Sequence, residues 1–411
     1  MNEKIIKDKL VENFLKYVAI PSQSDDKNKE VPSSPGQWDL AKVLVEDLED
    51  LGLSDININD FGVVQARLPR RGESSRSIGW VAHLDTVDVG LSDEIHPQII
   101  KSYDGKDIKL NEEITFSIKD NPEVLAYLGE DIIFTDGTSV LGADNKAAIA
   151  NIMTALWFLK ENPEINHCEI FIAFVPDEEI GLRGARKIDF ESFDVDYAYT
   201  IDCCALGELV YETFNAASGT LKIKGVSAHP MSAKGNLVNP IIIAHDFIAM
   251  LDRAKMPENT ENREGYIWVT DIKSDVLNLR LDFNIRNHDR EKFEASKTYL
   301  YQITDLLKER YKKAQIEIEI SDVYDNIADS MNEENKVAVE RLRAIFKSLD
   351  IKEKIIPMRG GTDGSFLSTR EIFTPNYFTG AHNFHSNKEF LPIHSFYKSF
   401  LVTLNLMQDN F

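Results

Sequence analysis

The sequence predicts an α/β protein interrupted by a smaller α+β domain. Two observations carry this. Strand and helix patterns alternate through the first half of the chain, which implies a sheet with helices on its faces. Further on, Leu277-Asn278-Leu279-Arg280-Leu281-Asp282-Phe283-Asn284-Ile285-Arg286 alternates apolar and polar at every step. That is a strand with one buried and one wet face.

The elements follow in order. Ile6, Leu10, Phe14 and Val18 recur every four residues, so the chain opens on an amphipathic helix that Pro21 closes. A second amphipathic helix covers about 36–51. Runs of β type follow at 55–59, 63–68 and 78–84. Residues 86–142 form a long irregular stretch, and loops of that length are functional or hide further elements. A helix is expected from Asp144, then strands at 169–175 and 197–202. Within 220–323, Leu221 with Ile223, the alternating run, and Ile316, Ile318 and Ile320 read as strands. Residues 238–252 and 290–312 read as helices. The order β-α-β-β-α-β is ferredoxin-like. A helix at 333–349, a strand near 354–357 and a last helix from His394 resume the α/β pattern. Residues 1–213 and 327–411 are therefore expected to build one catalytic α/β domain, with 214–326 inserted as a lid.

Composition narrows the function. The chain has 411 residues, with 46 Lys+Arg against 68 Asp+Glu and a formal net charge of −22. Such acidity speaks against nucleic acid and against an anionic membrane surface as partners. Three cysteines, Cys168, Cys203 and Cys204, cannot build a disulfide framework and fit a reducing compartment. The first twenty residues lack an apolar signal segment. The most apolar long stretch, 147–159, is interrupted by Asn151 and Thr154 and is too short to span a bilayer. The expected location is cytoplasmic.

No H-E-x-x-H, G-x-S-x-G, P-loop or C-x-x-C motif occurs. Instead, histidines and acids sit at predicted strand ends. His83 and Asp85 lie at the end of the strand at 78–84 and share a side, as strand alternation requires. Asp144 enters a helix from a Gly-containing loop. Asp177-Glu178-Glu179 follow a buried strand, where three adjacent acids repel unless a cation neutralises them. Asp202 ends another strand, and Ala381-His382-Asn383-Phe384-His385 lies in a late loop. Each alone has a bland explanation, such as an N-cap aspartate or a solvated turn. As a set they supply imidazoles and carboxylates at the carboxyl ends of strands, where α/β sheets bind ligands. Mixed nitrogen and oxygen donors suit zinc, with manganese or cobalt as alternatives.

These segments, with Pro97-Gln98-Ile99-Ile100, Thr135-Asp136-Gly137-Thr138, Gly142-Ala143-Asp144-Asn145-Lys146-Ala147, Asn215-Ala216-Ala217, His229-Pro230, Ala233-Lys234-Gly235 and Arg359-Gly360-Gly361-Thr362-Asp363-Gly364, carry a resemblance. The chain resembles the co-catalytic dizinc exopeptidases with an inserted dimerisation lid, and within them the tripeptide aminopeptidases. The resemblance covers nearly the whole sequence. It implies a zinc-exopeptidase-like catalytic domain with an inserted ferredoxin-like α+β lid domain, and two zinc ions per chain. Asp144 would bridge the metals. His83 and Asp202 would complete one site, and Glu179 and His385 the other. Glu178 would be the general base, Asp85 would orient His83, and His229 on the lid would stabilise the oxyanion. Asn239, Arg286 and Arg359 would bind substrate, the two arginines closing from two domains on one peptide carboxylate. Small peptides are the implied substrates. Pairing of two chains through the lid stays open, as does whether His229 serves its own or a partner's site. A dipeptidase, carboxypeptidase or N-deacylase on the same scaffold is the alternative activity. A non-enzymatic relative is disfavoured because every ligand and the base are present. Two positions depart from the family. Cys203-Cys204 stand where small residues follow the aspartate, and Asn145 replaces an acid after the bridging one.

Overall fold

Four neighbouring parallel strands form the middle of an eight-stranded mixed sheet: Glu169–Val175, Ser77–His83, Tyr197–Cys203 and Asn376–Phe378. They are buried almost throughout, which is why they read as apolar runs rather than as alternation. Val64–Leu68 and Ser54–Ile58 extend one edge antiparallel, and Glu208–Val210 pairs antiparallel on the other with Lys354–Ile355 beyond it. The computed structural model describes residues 2–408. Residue 1 and residues 409–411 of the expected catalytic domain lie outside the described residues.

The helix Ala143–Glu161 packs on Ser77–His83 and Tyr197–Cys203. Glu3–Val18 and Ile393–Gln408 pack against it, so nearly all of it is buried. It therefore lacks the single apolar stripe of a surface helix. Its first turn is irregular: Asp144 (φ −82°, ψ 102°) and Asn145 (φ −121°, ψ 19°) leave helical geometry. Asp144 is thus not an ordinary helix cap.

The stretch 86–142 is not one loop. Pro97–Ile100 and Ile132–Thr135 pair antiparallel, and Phe390–Pro392 adds a third strand from the far end of the chain. A separate apolar cluster lies here, including Tyr103, Phe116, Val124, Phe134 and Phe390. Phe134 stacks on Phe390, and Phe116 meets both edge-on. Short strands without helical or long alternating pattern hid this small sheet in the sequence.

The chain divides into two compact units. One comprises residues up to Tyr211, Met331–Ile356 and the chain from Thr362; the other comprises Glu212–Ser330 and Pro357–Gly361. The second unit has a four-stranded antiparallel sheet in the order Tyr266–Ser274, Asn278–Asn287, Asn215–Lys224, Gln315–Tyr324. With its helices Pro240–Met250 and Arg290–Arg310 this is the ferredoxin-like arrangement. The alternating run behaves as its pattern requires, with Leu279, Leu281, Phe283 and Ile285 buried against Phe247, Leu300 and Leu307. One expectation needs correcting. Arg359 lies in the second unit together with Arg286, not on the opposite domain, because the chain returns through 357–361 before re-entering the first unit. Gly361 permits this return: a Cβ there would meet the Tyr324 ring at 2.4 Å.

Phe116→Ala would open a cavity under the small sheet and should cost about 3–5 kcal/mol. Denaturant unfolding checks this, and a loss below 1 kcal/mol would show that the cluster collapses around the gap.

Candidate active site

The carboxyl ends of the four central strands supply the sequence-predicted residues one segment each. Ser77–His83 ends in His83, Glu169–Val175 leads into Asp177-Glu178-Glu179, Tyr197–Cys203 carries Asp202, and Asn376–Phe378 leads to His385. Asp144 enters from the helix that packs on this sheet. Parallel strands explain the convergence, because all of them deliver their C-terminal ends to one edge.

The structure brings His83, Asp144, Glu178, Glu179, Asp202 and His385 together. Their donor atoms form three overlapping groups within 4.8 Å: His83 with Asp144 and Asp202, Asp144 with Glu179 and His385, and His83 with Glu178 and Glu179. His83 Nε2 is 2.9 Å from Asp144 Oδ1 and 3.8 Å from Asp202 Oδ1. His385 Nε2 is 3.1 Å from Asp144 Oδ2 and 2.9 Å from Glu179 Oε1. The last pair is close without being a hydrogen bond: Glu179 Oε1 is buried and accepts none. Donors that crowd together yet leave a buried oxygen unsatisfied fit a shared cation better than they fit one another.

Electrostatics point the same way. Burial opposes a charged His83, but the hydrogen-bonded Asp144 carboxylate and the nearby Asp202 and Asp85 carboxylates outweigh it and raise its pKa well above the usual range. Burial likewise opposes the Asp144 charge, and His385 and His83 overcome it and hold this carboxyl low. His385 is raised to about 10, chiefly by the Asp144 carboxylate that it hydrogen-bonds and by the Glu179 carboxylate beside it. Burial pushes Glu178 well above the ordinary carboxyl value, Glu179 to about 7 and Asp202 to about 6. No Lys or Arg among the described residues forms an ion pair with Asp144, Glu178, Glu179 or Asp202.

The adjacent acids divide their tasks. Asp177 is satisfied by hydrogen bonds from neutral donors rather than by a cation, which corrects the reading of all three as charges awaiting one. Its carboxylate accepts from the Ser33 backbone N–H, the Ser33 hydroxyl and the Gln37 amide. Asp85 does more than face His83 Nδ1 at 3.4 Å. Its two oxygens accept the backbone N–H groups of Glu178 (2.9 Å) and Glu179 (3.2 Å), and its backbone carbonyl lies 3.0 Å from His83 Nδ1, so one buried residue fixes both the histidine and the acidic turn.

Glu389 escaped sequence reading, and Asn145 was read there only as a departure from the family. Glu389 accepts from the backbone N–H groups of Leu141, Gly142 and Asp144 and so clamps the loop that presents Asp144. Asn145 accepts from the His83 N–H and donates to Ile201 O and Asp202 Oδ1. An acid at this position could not donate to that carboxylate, so Asn145 has a specific task. Glu389 carried no local signal, as a lone glutamate in a loop.

Cys203 is buried, and burial pushes both the Cys203 and Cys204 thiols well up. Such thiols stay protonated and pack as small apolar groups. In the second unit, His229 is exposed, and its Nδ1 accepts from the Met231 N–H at 3.2 Å. That bond leaves Nε2 as the protonated nitrogen of the neutral ring, a hydrogen-bond donor. Asn239 caps the helix Pro240–Met250. Arg286 donates to Ala217 O and Ile285 O. Arg359 lies over the Phe214 and Tyr266 rings and donates to Asn262 O, Glu264 O and Thr260 Oγ1.

These shifts set a pH dependence. Glu179, Asp202 and Glu389 hold protons in the fold up to about 7, 6 and 8, against reference values of 4.5, 3.8 and 4.5. The unfolded chain releases those protons earlier, so the contribution to stability is full below about pH 4 and is lost as pH rises through 8. A bound cation replaces the protons. Chelator-treated protein should therefore melt lower at pH 8 than at pH 6, and added divalent metal should raise Tm more at pH 8. A metal increment independent of pH would contradict this protonation pattern.

The family model described as peptidase family M20/M25/M40 matches residues 142–409. A peptidase T-like protein of Yersinia pestis is 49% identical over 402 residues, covering 97% of each chain. A peptidase T of Geobacillus sp. (strain WCH70) is 43% identical over 406 residues, covering 98% of each. Aminopeptidase PepT from Bacillus cereus ATCC 10987 has a similar fold, with a TM-score of 0.77 at 22% identity over 98% of each chain. A family match across more than half of the sequence, with relatives of this identity along its whole length, shows that the chain belongs to peptidase family M20/M25/M40.

Proposed function

We propose that this peptidase is a dinuclear metallo-aminopeptidase that releases the N-terminal residue of tripeptides. The observation that carries the reading is the pair of donor groups sharing Asp144, with Glu178 left beside them. His83, Asp144 and Asp202 would hold one cation, and Asp144, Glu179 and His385 the other, with zinc suggested by the mixed donors and cobalt or manganese as alternatives. Such ions, when bound, acidify a water molecule and polarise the scissile carbonyl. The likeness to peptidase T supports tripeptides as the substrate class over dipeptidase, carboxypeptidase or N-deacylase activity. No helix among the described residues is long and apolar enough to cross a membrane. We read the enzyme as cytoplasmic, with small peptides as its partners.

Glu178 is the general base. Burial and the carboxylates around it favour its protonated form, so it has the basicity to take a proton from the attacking water. It then delivers that proton to the departing amine. Glu179 has the opposite role and keeps its oxygens for the cation. Asp85 positions both through their backbone. His229 donates through Nε2 to the developing oxyanion. Arg286 receives the peptide carboxylate with the nitrogens that its two carbonyl bonds leave available. Arg359 holds the 260–264 loop against the Phe214 and Tyr266 rings, and so shapes the substrate-binding unit.

Chelation should abolish hydrolysis, and zinc, cobalt or manganese should restore it. Full activity in protein shown by elemental analysis to be metal-free would sink the mechanism. Glu178→Ala should lower kcat about 10²–10⁴-fold with both ions retained, whereas Glu179→Ala should lose metal. The reverse pattern would exchange the two roles. His229→Ala should lower kcat about 10²–10³-fold with metal content unchanged; unchanged turnover would leave it a structural role only.

Carboxylate recognition has its own test. A charged hydrogen bond contributes about 1.5–3 kcal/mol, or roughly 10–150-fold in kcat/KM. A tripeptide amide should be cleaved that much more slowly than the free acid, and Arg286→Ala should erase the difference. Equal rates with the unmodified enzyme would reject length selection by the carboxylate.

A further inference from the structure

We propose that Asp363 binds the α-ammonium group of the substrate and thereby selects peptides with an unmodified amino terminus. This deepens the aminopeptidase reading and rests on it. Asp363 opens the short helix Asp363–Ser368 and is only 2% exposed. Its Oδ1 is buried with no hydrogen-bond partner. A buried carboxylate without a partner is costly, and it calls for a ligand or a function. No Lys or Arg among the described residues pairs with it. It also stands outside all three donor groups, so the metal centre does not account for it.

Its place in the fold says what it could meet. The helix Asp363–Ser368 packs against Ser77–His83 and Tyr197–Cys203, the strands whose ends carry His83 and Asp202. Burial raises the Asp363 carboxyl to about 8, and the charges that act on it are those of His83, Asp202, Asp85 and Glu179. Asp363 in turn is among the charges that raise Glu178. The side chain therefore belongs to the same buried pocket as the base and the ligands.

An aminopeptidase substrate brings a matching group. Its α-ammonium is two bonds from the scissile carbonyl carbon, so it must lie beside the base and the ligands. A carboxylate there supplies a charge-assisted hydrogen bond. An acylated amino terminus brings no charge and would leave Asp363 buried and unpaired. A peptide carboxylate in the same place would be repelled. Asp363 thus discriminates against N-acyl and carboxypeptidase substrates by chemistry that the metal ligands do not provide.

The test uses the metal-loaded full chain and a non-hydrolysable phosphinic tripeptide analogue, with and without its α-amino group. Calorimetry should show the amine form binding about 10–150-fold tighter to the unmodified protein. In Asp363→Asn the amine form should weaken by that factor and the deaminated form should not change. Elemental analysis and circular dichroism would establish that metal and fold are retained. Equal affinities of the two analogues for the unmodified protein overturn the proposal, and this measurement needs no variant. An equal loss on both analogues in Asp363→Asn, or discrimination that survives the substitution, overturns it as well. The aminopeptidase reading is judged separately, by mass spectrometry of the products from a free tripeptide. Release of the C-terminal residue would sink that reading, while the affinity ratio would still report on Asp363.

Discussion

Buried negative charge is the constraint on which this structure turns. Asp144, Glu178, Glu179 and Asp202 crowd the carboxyl edge of one sheet, and among the described residues two imidazoles, His83 and His385, oppose them. Desolvation of such a cluster disfavours every charge in it. Protons can relieve the repulsion, which is why Glu179, Asp202 and Glu389 hold them far above the usual carboxyl range. Divalent cations relieve it too, and they turn the cost into binding energy. The fold keeps an electrostatically unfavourable cluster in place through uncharged means: backbone N–H groups to Asp85 and Glu389, and hydrogen bonds from Ser33 and Gln37 to Asp177.

That division separates residues that look alike in sequence. In Asp177-Glu178-Glu179, the first acid anchors the turn, the second is buried with its pKa pushed up, and the third faces His385. Neighbouring residues in extended or turning chain point different ways, so three acids need not compete. Asn145 shows the same logic from the other side. As a neutral amide it donates to Asp202 and accepts from the His83 backbone, and so it ties two strand ends together without adding charge.

Much of the site was legible in the sequence because parallel strands put their chemistry in short local motifs. His83 with Asp85, the three acids, and Asp202 each lie within four residues of an apolar strand end. The inserted unit was legible from the strict alternation of 277–286 and the helix patterns around it. Glu389 was not legible, because its partners lie about 250 residues away in sequence. Asp363 stood in a recognised motif, but only its burial and missing partner distinguish it from an ordinary first-turn acid. Arg359 misled for a related reason. Its position in sequence suggested the opposite domain, whereas the chain returns to the second unit for only the five residues Pro357–Gly361.

The stretch 86–142 acquires a purpose from the same constraint. His385 sits in a loop where Asn383 (φ 58°) and His385 (φ 60°) both adopt left-handed backbone. Asparagine tolerates that region, but for histidine it costs on the order of 1–3 kcal/mol unless the surroundings impose it. The surroundings come from the small sheet and its neighbours. Asn383 donates to Asn121 Oδ1 and Glu123 Oε1, Asn387 to Gly137 O, and Lys388 to Thr115 O. Phe390, five residues after His385, is locked between Phe116 and Phe134. Glu389 turns back from the same loop to clamp the chain before Asp144. One anchored loop therefore aims His385 and secures Asp144 together. A segment that reads in sequence as one long irregular stretch holds Asp144 and His385, two members of one donor group, in register.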